Sequence, residues 1–439
     1  VIDMQYVYFK RASGMLFWLL LVLAVLTAGA SMTWPFGWDQ GIFAWIGDVV
    51  SRGGLPSRDG WDIKGPLPYY VYAFAQWLFG AHTWSIRIVD IVFVLVADLM
   101  LFRMVSAWCN RPIAAWSTLL FTLWYASGSY WNTAQPDGWV MMLMIPVAAI
   151  LMRPQHPAGW AAWWLAGVFV GCTALAKFFY AGFLLVPAVV ARADRPRPAV
   201  LMARAAACLA GFLLPLLLTL LWFWQQGALD TFIEVTLRYP ADTYRSLVQF
   251  GVEERLRGLL EHLTGGGGIA VTLPFVLFGL YAGWRRSPVL AAGLIAWMLV
   301  AIGAVVIQNR FFIYHWLPLI PALVISAAIG IHALFDGLRE STTWPKHAKA
   351  GMRGILAGSL MIVFVLHVAA LPAFEVLHWG AYLSGKTSTD DYHRHFGSPA
   401  DDIAMARLVG KLTREDDKVV IFGWNSSILF LSRRQSPTR

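Results

Sequence analysis

Four charged side chains and two prolines crowd one short stretch: Arg58-Asp-Gly-Trp-Asp62-Ile-Lys64-Gly-Pro66-Leu-Pro68-Tyr69-Tyr70. Lys64 and Arg58 are donors suited to a phosphate, and the prolines stiffen the backbone that carries them. Just upstream, Asp39 in Trp38-Asp-Gln-Gly follows the first long apolar run, which puts a carboxylate at a membrane surface. An acid beside two cations at that depth suits an anionic amphiphile whose apolar part lies in lipid and whose head lies in water. A carboxylate there can accept the proton of an attacking hydroxyl, and a lysine can stabilise a leaving phosphate.

The elements that would position these groups are membrane helices. The chain has 439 residues, 58% hydrophobic and 13% charged, with mean hydropathy +0.59. Soluble domains carry roughly 45–50% apolar and about 25% charged residues, so an ordinary soluble enzyme and a disordered chain are both excluded. About eleven apolar runs approach spanning length: 15–33, 85–107, 113–131, 138–152, 160–177, 179–191, 205–224, 269–284, 289–307, 311–335 and 354–372. The net charge of +9 comes from basic residues set between runs, so it reads as topology rather than nucleic-acid binding. Lys10, Arg103, Arg153, Arg192, Arg285 and Arg339 fall on one side, which the positive-inside rule makes cytoplasmic. The expected placement is therefore a multi-pass protein of the cell inner membrane, N-terminus inside and C-terminal segment outside. Cys109, Cys172 and Cys208 sit in or beside apolar runs and suggest no disulfide framework.

Three long segments face outward: 34–84, 225–268 and the tail after Pro372. Residues 42–50 repeat with helical spacing and predict an amphipathic helix in the interface plane, with Gln40, Asp48 and Arg52 on its polar side. A second interfacial helix is expected over 69–79. Trp34, Trp38, Trp61, Tyr69, Tyr70 and Trp84 suit a headgroup belt. In the second outer loop, Gly265–Gly268 reads as a hinge, and Arg238, Tyr239, Asp242, Tyr244 and Arg245 could help it close over a ligand. The tail predicts a small, incomplete α/β unit: a helix over 401–412 with Ile403, Ala404, Leu408 and Leu412 on one side, then a strand over 418–423. The division expected is 1–372 for the membrane domain and 373–439 for the start of an outer domain.

The order Asp39, interfacial helix, Gly53-Gly54-Leu-Pro56, then Lys64-Gly-Pro66-Leu-Pro-Tyr69 resembles the GT-C glycosyltransferases, in particular the protein O-mannosyltransferase and lipid A aminoarabinose transferase branch. Trp84-Ser-Ile-Arg87, Gln135-Pro-Asp137-Gly and Arg310-Phe-Phe-Ile-Tyr-His315-Trp-Leu-Pro318 are similar to that branch as well, so the pattern covers roughly residues 10–335. The resemblance implies an all-α GT-C membrane fold. It also implies transfer of a sugar from a polyprenyl-phosphate donor at the outer face, with inversion, to a lipid, glycan or protein acceptor. It makes Asp39 and Asp137 the acids and Lys64, helped by Arg58 or Arg310, the donor-phosphate group. Asp62, Tyr69, Arg87 and His315 are further candidates for substrate contact, although Arg87 and Asp90 can pair one helical turn apart. Ile63 stands where the aminoarabinose transferase has a glutamate that helps bind metal. Asp62 could substitute, so a divalent metal stays open and no metal site is assigned.

Two other readings compete. A lipid-linked-substrate transporter would use Asp98, an acid deep in the second run. A non-catalytic GT-C subunit of a larger membrane assembly would keep the fold with membrane protein partners and no activity.

Overall fold

A computed structural model of the chain describes residues 2–154, 158–244, 251–264, 269–340 and 366–438, with a few more between 345 and 359. The described residues are helical. In order they form α1 (Ile2–Ser31), α2 (Trp38–Ser51), α3 (Leu67–Phe79), α4 (Thr83–Trp108), α5 (Arg111–Ala126), α6 (Pro136–Leu151), α7 (Trp160–Ala176), α8 (Leu185–Ala193) and α9 (Pro198–Gln225). Then come α10 (Leu229–Ile233), α11 (Val252–Thr264), α12 (Ile269–Arg286), α13 (Pro288–Gln308) and α14 (Ile320–Glu340). The tail adds α15 (Ala370–Leu383), α16 (Thr389–Arg394), α17 (Ser398–Leu412) and α18 (Ser427–Ser432). Four helical stretches among the described residues are long and apolar enough to cross a bilayer: Ser13–Ser31, Pro198–Gln225, Pro288–Gln308 and Ile313–Glu340. Helices also occupy the other expected runs up to 335, several of them shorter than a full crossing. Of the expected run 354–372, residues 354, 357 and 360–365 lie outside the described residues, as do Arg245 and the Gly265–Gly268 hinge.

Helix starts follow local chemistry. The Asn110 side chain accepts from Ile113 N at 3.0 Å to cap α5, and Ser287 caps α13 ahead of Pro288. Small residues then let helices meet backbone to backbone. A Cβ on Gly167 of α7 would sit 2.0 Å from the Cys208 carbonyl oxygen of α9, and one on Gly211 would sit 1.9 Å from that of Trp164. Close approach of this kind is how helices gain dispersion contact in lipid, where burial of apolar surface offers little.

The outer segments depart from the sequence reading in three ways. First, α2 is covered by protein where the sequence suggested a face open to lipid. Phe43, Ala44 and Ile46 are fully buried, together with Gln40, under α3 and α18. Trp34 and Tyr69 of the expected belt are likewise interior, each 1% exposed. Second, the helix over 401–412 forms but turns its other side inward: Asp402 and Ala406 are buried while Leu408 and Leu412 are exposed. Asp402 accepts from Asn425 Nδ2 at 2.5 Å and from the Ser427 hydroxyl, which ties α17 to α18. Third, 418–423 is no strand; it makes one isolated bridge, Lys418 to Gln435. Phe422 is 98% exposed while Val419 and Ile421 pack against the core, so the segment is covered on one side only and has no second ladder among the described residues, and a lone pairing is marginal. The tail packs on the membrane helices: α15 lies along α1, the Tyr392 and Thr33 hydroxyls are 2.7 Å apart, and Tyr130 donates to the Phe396 carbonyl at 3.1 Å.

Candidate functional site

Asp39 lies in the first turn of α2, where the helix dipole favours a carboxylate. Its neighbour Gln40 fixes that turn. The Gln40 side chain accepts from Gly37 N at 2.6 Å and donates to the carbonyls of Thr133, at 2.7 Å, and Tyr130. Lys64 Nζ lies 3.2 Å from Asp39 Oδ1 and 3.3 Å from Asp62 Oδ2, over the Phe43 ring at 5.0 Å. Tyr69 donates to Asp62 Oδ2 at 3.0 Å, and Ile63 N donates to Asp62 Oδ1 at 2.8 Å. The first outer loop thus folds three of its charged groups onto one point. Among them Asp39 is the most open, 23% exposed against 14% for Lys64 and 8% for Asp62.

A second cluster meets this one from the far side. Lys177 ends α7 in extended backbone and donates to Asp137 Oδ2 at 2.7 Å and Gln308 Oε1 at 2.6 Å. Tyr180 donates to the other oxygen of Asp137, which is wholly buried in the first turn of α6. Tyr314 joins the clusters: its hydroxyl donates to Asp39 Oδ2 at 2.8 Å, and its ring centroid is 5.7 Å from Lys177 Nζ. Gly65 closes the assembly, its N–H donating to the Ala176 carbonyl at 3.1 Å. Any side chain there would place its Cβ 2.2 Å from the Leu175 carbonyl oxygen, so only glycine brings Lys64 and Lys177 this close.

These surroundings set protonation. Burial by itself would raise the Asp39 value, but the charges of Lys64 and Lys177 and the Tyr314 hydroxyl outweigh it and hold the carboxyl below the usual range. Burial likewise works against charged Lys64, and Asp39 and Asp62 overcome it, raising that ammonium above its ordinary value. Both groups therefore stay ionised at neutral pH.

The remaining sequence candidates are placed apart. Arg58 is held by Asp59 at 2.8 Å on the exposed side of the loop, and Arg310 is exposed in the turn after α13. Arg87, 1% exposed, donates to the carbonyls of Thr133 and Pro35 at 3.2 and 3.0 Å. Asp90 instead accepts from Tyr125 and Trp139, at 2.9 Å each; the two form no ion pair with one another. His315 is buried edge-on against Tyr314, their ring centroids 4.6 Å apart. In the second outer loop, Tyr239 reaches the first, its ring centroid 4.9 Å from that of Trp61. For a metal, Asp39 and Asp62 both face the Lys64 ammonium, and no three His, Cys, Asp or Glu converge among the described residues. That donor set does not fit a divalent ion, so no step is drawn through one.

Sequence reasoning found Asp39, Lys64, Asp62 and Tyr69 as neighbours in one loop. It missed the roles of Tyr180, Gln308 and Tyr314. The signal that was available for this half was Lys177, a cation at the end of an apolar run, which needs a buried partner.

Residues 63–224 match the model of a family described as dolichyl-phosphate-mannose-protein mannosyltransferase. No curated protein matches the chain. Among solved structures, ArnT from Cupriavidus metallidurans in the apo state is similar at a TM-score of 0.63 and 17% identity, over 97% of this chain and 86% of that one. The same protein bound to undecaprenyl phosphate gives the same values. The Archaeoglobus fulgidus oligosaccharyltransferase, in a complex with Zn and sulfate, is similar at 0.53 and 13% identity, over 95% of this chain and 62% of that one. The chain has the all-α membrane fold of these proteins.

Proposed function

We propose that the chain, whose residues 63–224 match the model of a family described as dolichyl-phosphate-mannose-protein mannosyltransferase, transfers a sugar from a polyprenyl-phosphate donor to an acceptor at the outer face of the inner membrane. The observation that carries this reading is the single point where Lys64, Tyr314 and, beneath its ring, Lys177 surround the accessible carboxylate of Asp39. ArnT bound to undecaprenyl phosphate, which has the same fold, supports the choice of donor.

In the reaction the bond from the anomeric carbon to the phosphate oxygen breaks, and a bond from that carbon to an acceptor oxygen forms on the opposite side. The leaving phosphate gains negative charge, which Lys64 and Lys177 stabilise. Ammonium groups already in place cost no reorganisation when that charge develops. A hydroxyl acceptor gives its proton to Asp39, whose depressed value keeps it a carboxylate beforehand; a phosphate acceptor would only be positioned by it. Direct displacement inverts the anomeric centre. Asp137, fully covered, acts through Lys177 and Tyr180 as a positioning residue. Residues 1–372 would form the membrane domain with a cytoplasmic N-terminus, and 373–439 would begin the outer part that helps select the lipid, glycan or protein acceptor.

The test is mass spectrometry of co-purifying lipids from wild type and Lys64→Ala, joined to turnover by Asp39→Asn. A prenyl phosphate or prenyl-phospho-sugar retained by wild type and lost from Lys64→Ala, with turnover lost in Asp39→Asn, is the expected result. Cell function unchanged by Asp39→Asn would overturn it in favour of a non-catalytic subunit.

A further inference from the structure

Asp98 takes no part in the site above. It lines a separate cavity of about 420 Å³ between α1, α4 and α5, within the range of small-ligand pockets. Eight residues below Asp90 on α4, it is about 12 Å deeper along the helix. Its Oδ2 accepts from Thr122 Oγ1 at 2.7 Å. Its Oδ1 and the hydroxyl of Thr118, which also lines the cavity, are both buried without a hydrogen-bond partner among the described residues. Two unsatisfied polar groups on residues of one mostly apolar lining ask for an occupant, since each such group costs about 1–3 kcal/mol.

The mouth says where that occupant comes from. Val25, Leu95 and Leu99 line the cavity and are 64%, 61% and 51% exposed on the flank of the helix bundle, so it opens sideways to acyl chains. Phe17, Leu21 and Phe102 form its apolar depth. A charged headgroup reaching this level would pay roughly 2.5–3.5 kcal/mol or more, and the lining offers no cation. A neutral hydroxyl can make the descent. We propose that this cavity is a binding site for a neutral long-chain alcohol of the bilayer, its chain along Phe17 and Phe102 and its hydroxyl donating to the Asp98 carboxyl while accepting from Thr118. Because that oxygen is covered, binding would turn the Asp98 side chain to present it. This assignment does not depend on the transferase reading.

The test uses cetyl alcohol carrying a mid-chain diazirine, and its methyl ether, with the full chain in lipid nanodiscs. Photolabelling of wild-type peptides 15–31, 91–102 and 115–126 is expected to be about threefold to tenfold stronger with the alcohol, the equivalent of one hydrogen bond. Asp98→Leu should lower the alcohol to the level of the ether, and Ala28→Trp, which fills the cavity, should abolish both signals. Equal labelling by the two reagents in wild type, or labelling that avoids these three helices, overturns the proposal without recourse to any variant.

Discussion

Lys177→Met separates the structural from the ligand-binding role of the second cluster. Methionine keeps the length and most of the volume of the lysine stem but removes the ammonium. Asp137 has no exposure and Lys177 only 8%, so the variant strands a covered carboxylate whose one remaining side-chain donor is Tyr180. Breaking a buried pair from one side costs about 3–5 kcal/mol, which at about 1.4 kcal/mol per decade is two to three orders of magnitude in the folding equilibrium. Gln308 Oε1 also loses its 2.6 Å donor. In the double variant Lys177→Met/Asp137→Asn the uncompensated charge is gone while Tyr180 keeps an acceptor, so most of that loss should return. Stability is read by thermal unfolding in nanodiscs, and undecaprenyl phosphate affinity by titration of the same samples. Both variants should bind the phosphate poorly, because both lack the ammonium. Only the single variant should be unstable. A single variant as stable as wild type would refute the buried-pair reasoning, and a double variant that binds like wild type would remove Lys177 from the donor site.

Three further outcomes follow from the same geometry. Tyr314→Phe removes one hydrogen bond from Asp39 and moves its value back up; the stability that ionised Asp39 contributes is present above its unfolded value and lost as pH falls through the folded one. The acid limb of the activity profile should therefore move to higher pH, and an unmoved limb contradicts a direct role for that hydroxyl. Gly65→Ala should push the loop off the end of α7 and lower donor affinity by at least tenfold, whereas near-normal affinity would show that the stitch to Ala176 is dispensable. Arg58→Ala should be neutral, since it loses only a surface pair worth about 0–1 kcal/mol. A tenfold fall in donor binding would return Arg58 to the site.

How much was legible depended on sequence distance. Asp39, Asp62, Lys64 and Tyr69 lie within one loop, so their types and order suffice to bring them together. Tyr314 reaches Asp39 across 275 residues, and Lys177 reaches Gln308 across 131; no local pattern encodes such meetings. Helices could be placed from runs of apolar residues, yet what covers α2 and which side of α17 turns inward could not, because an amphipathic face suits lipid and protein equally. The tail shows the converse error. Val419, Val420 and Ile421 have the local preference of a strand, but a strand needs a neighbour, and among the described residues only Gln435 supplies one.

The hydrogen bond from Gly65 to Ala176 has a consequence for what kind of binder the site is. Lys64 immediately precedes one end of that stitch and Lys177 immediately follows the other, so the backbones that carry the two cations cannot wander independently. They behave as the arms of a chelate with a fixed bite. The entropy of bringing two flexible side chains to one anion is settled during folding instead of at each encounter. A chelate of fixed bite selects by shape, favouring a terminal phosphate whose free oxygens match its span. In the proposed reaction the donor carries a diester phosphate and the spent lipid a monoester, and each offers free oxygens to the pair. With both cations tied to one stitch, donor and spent lipid would compete for the same pair.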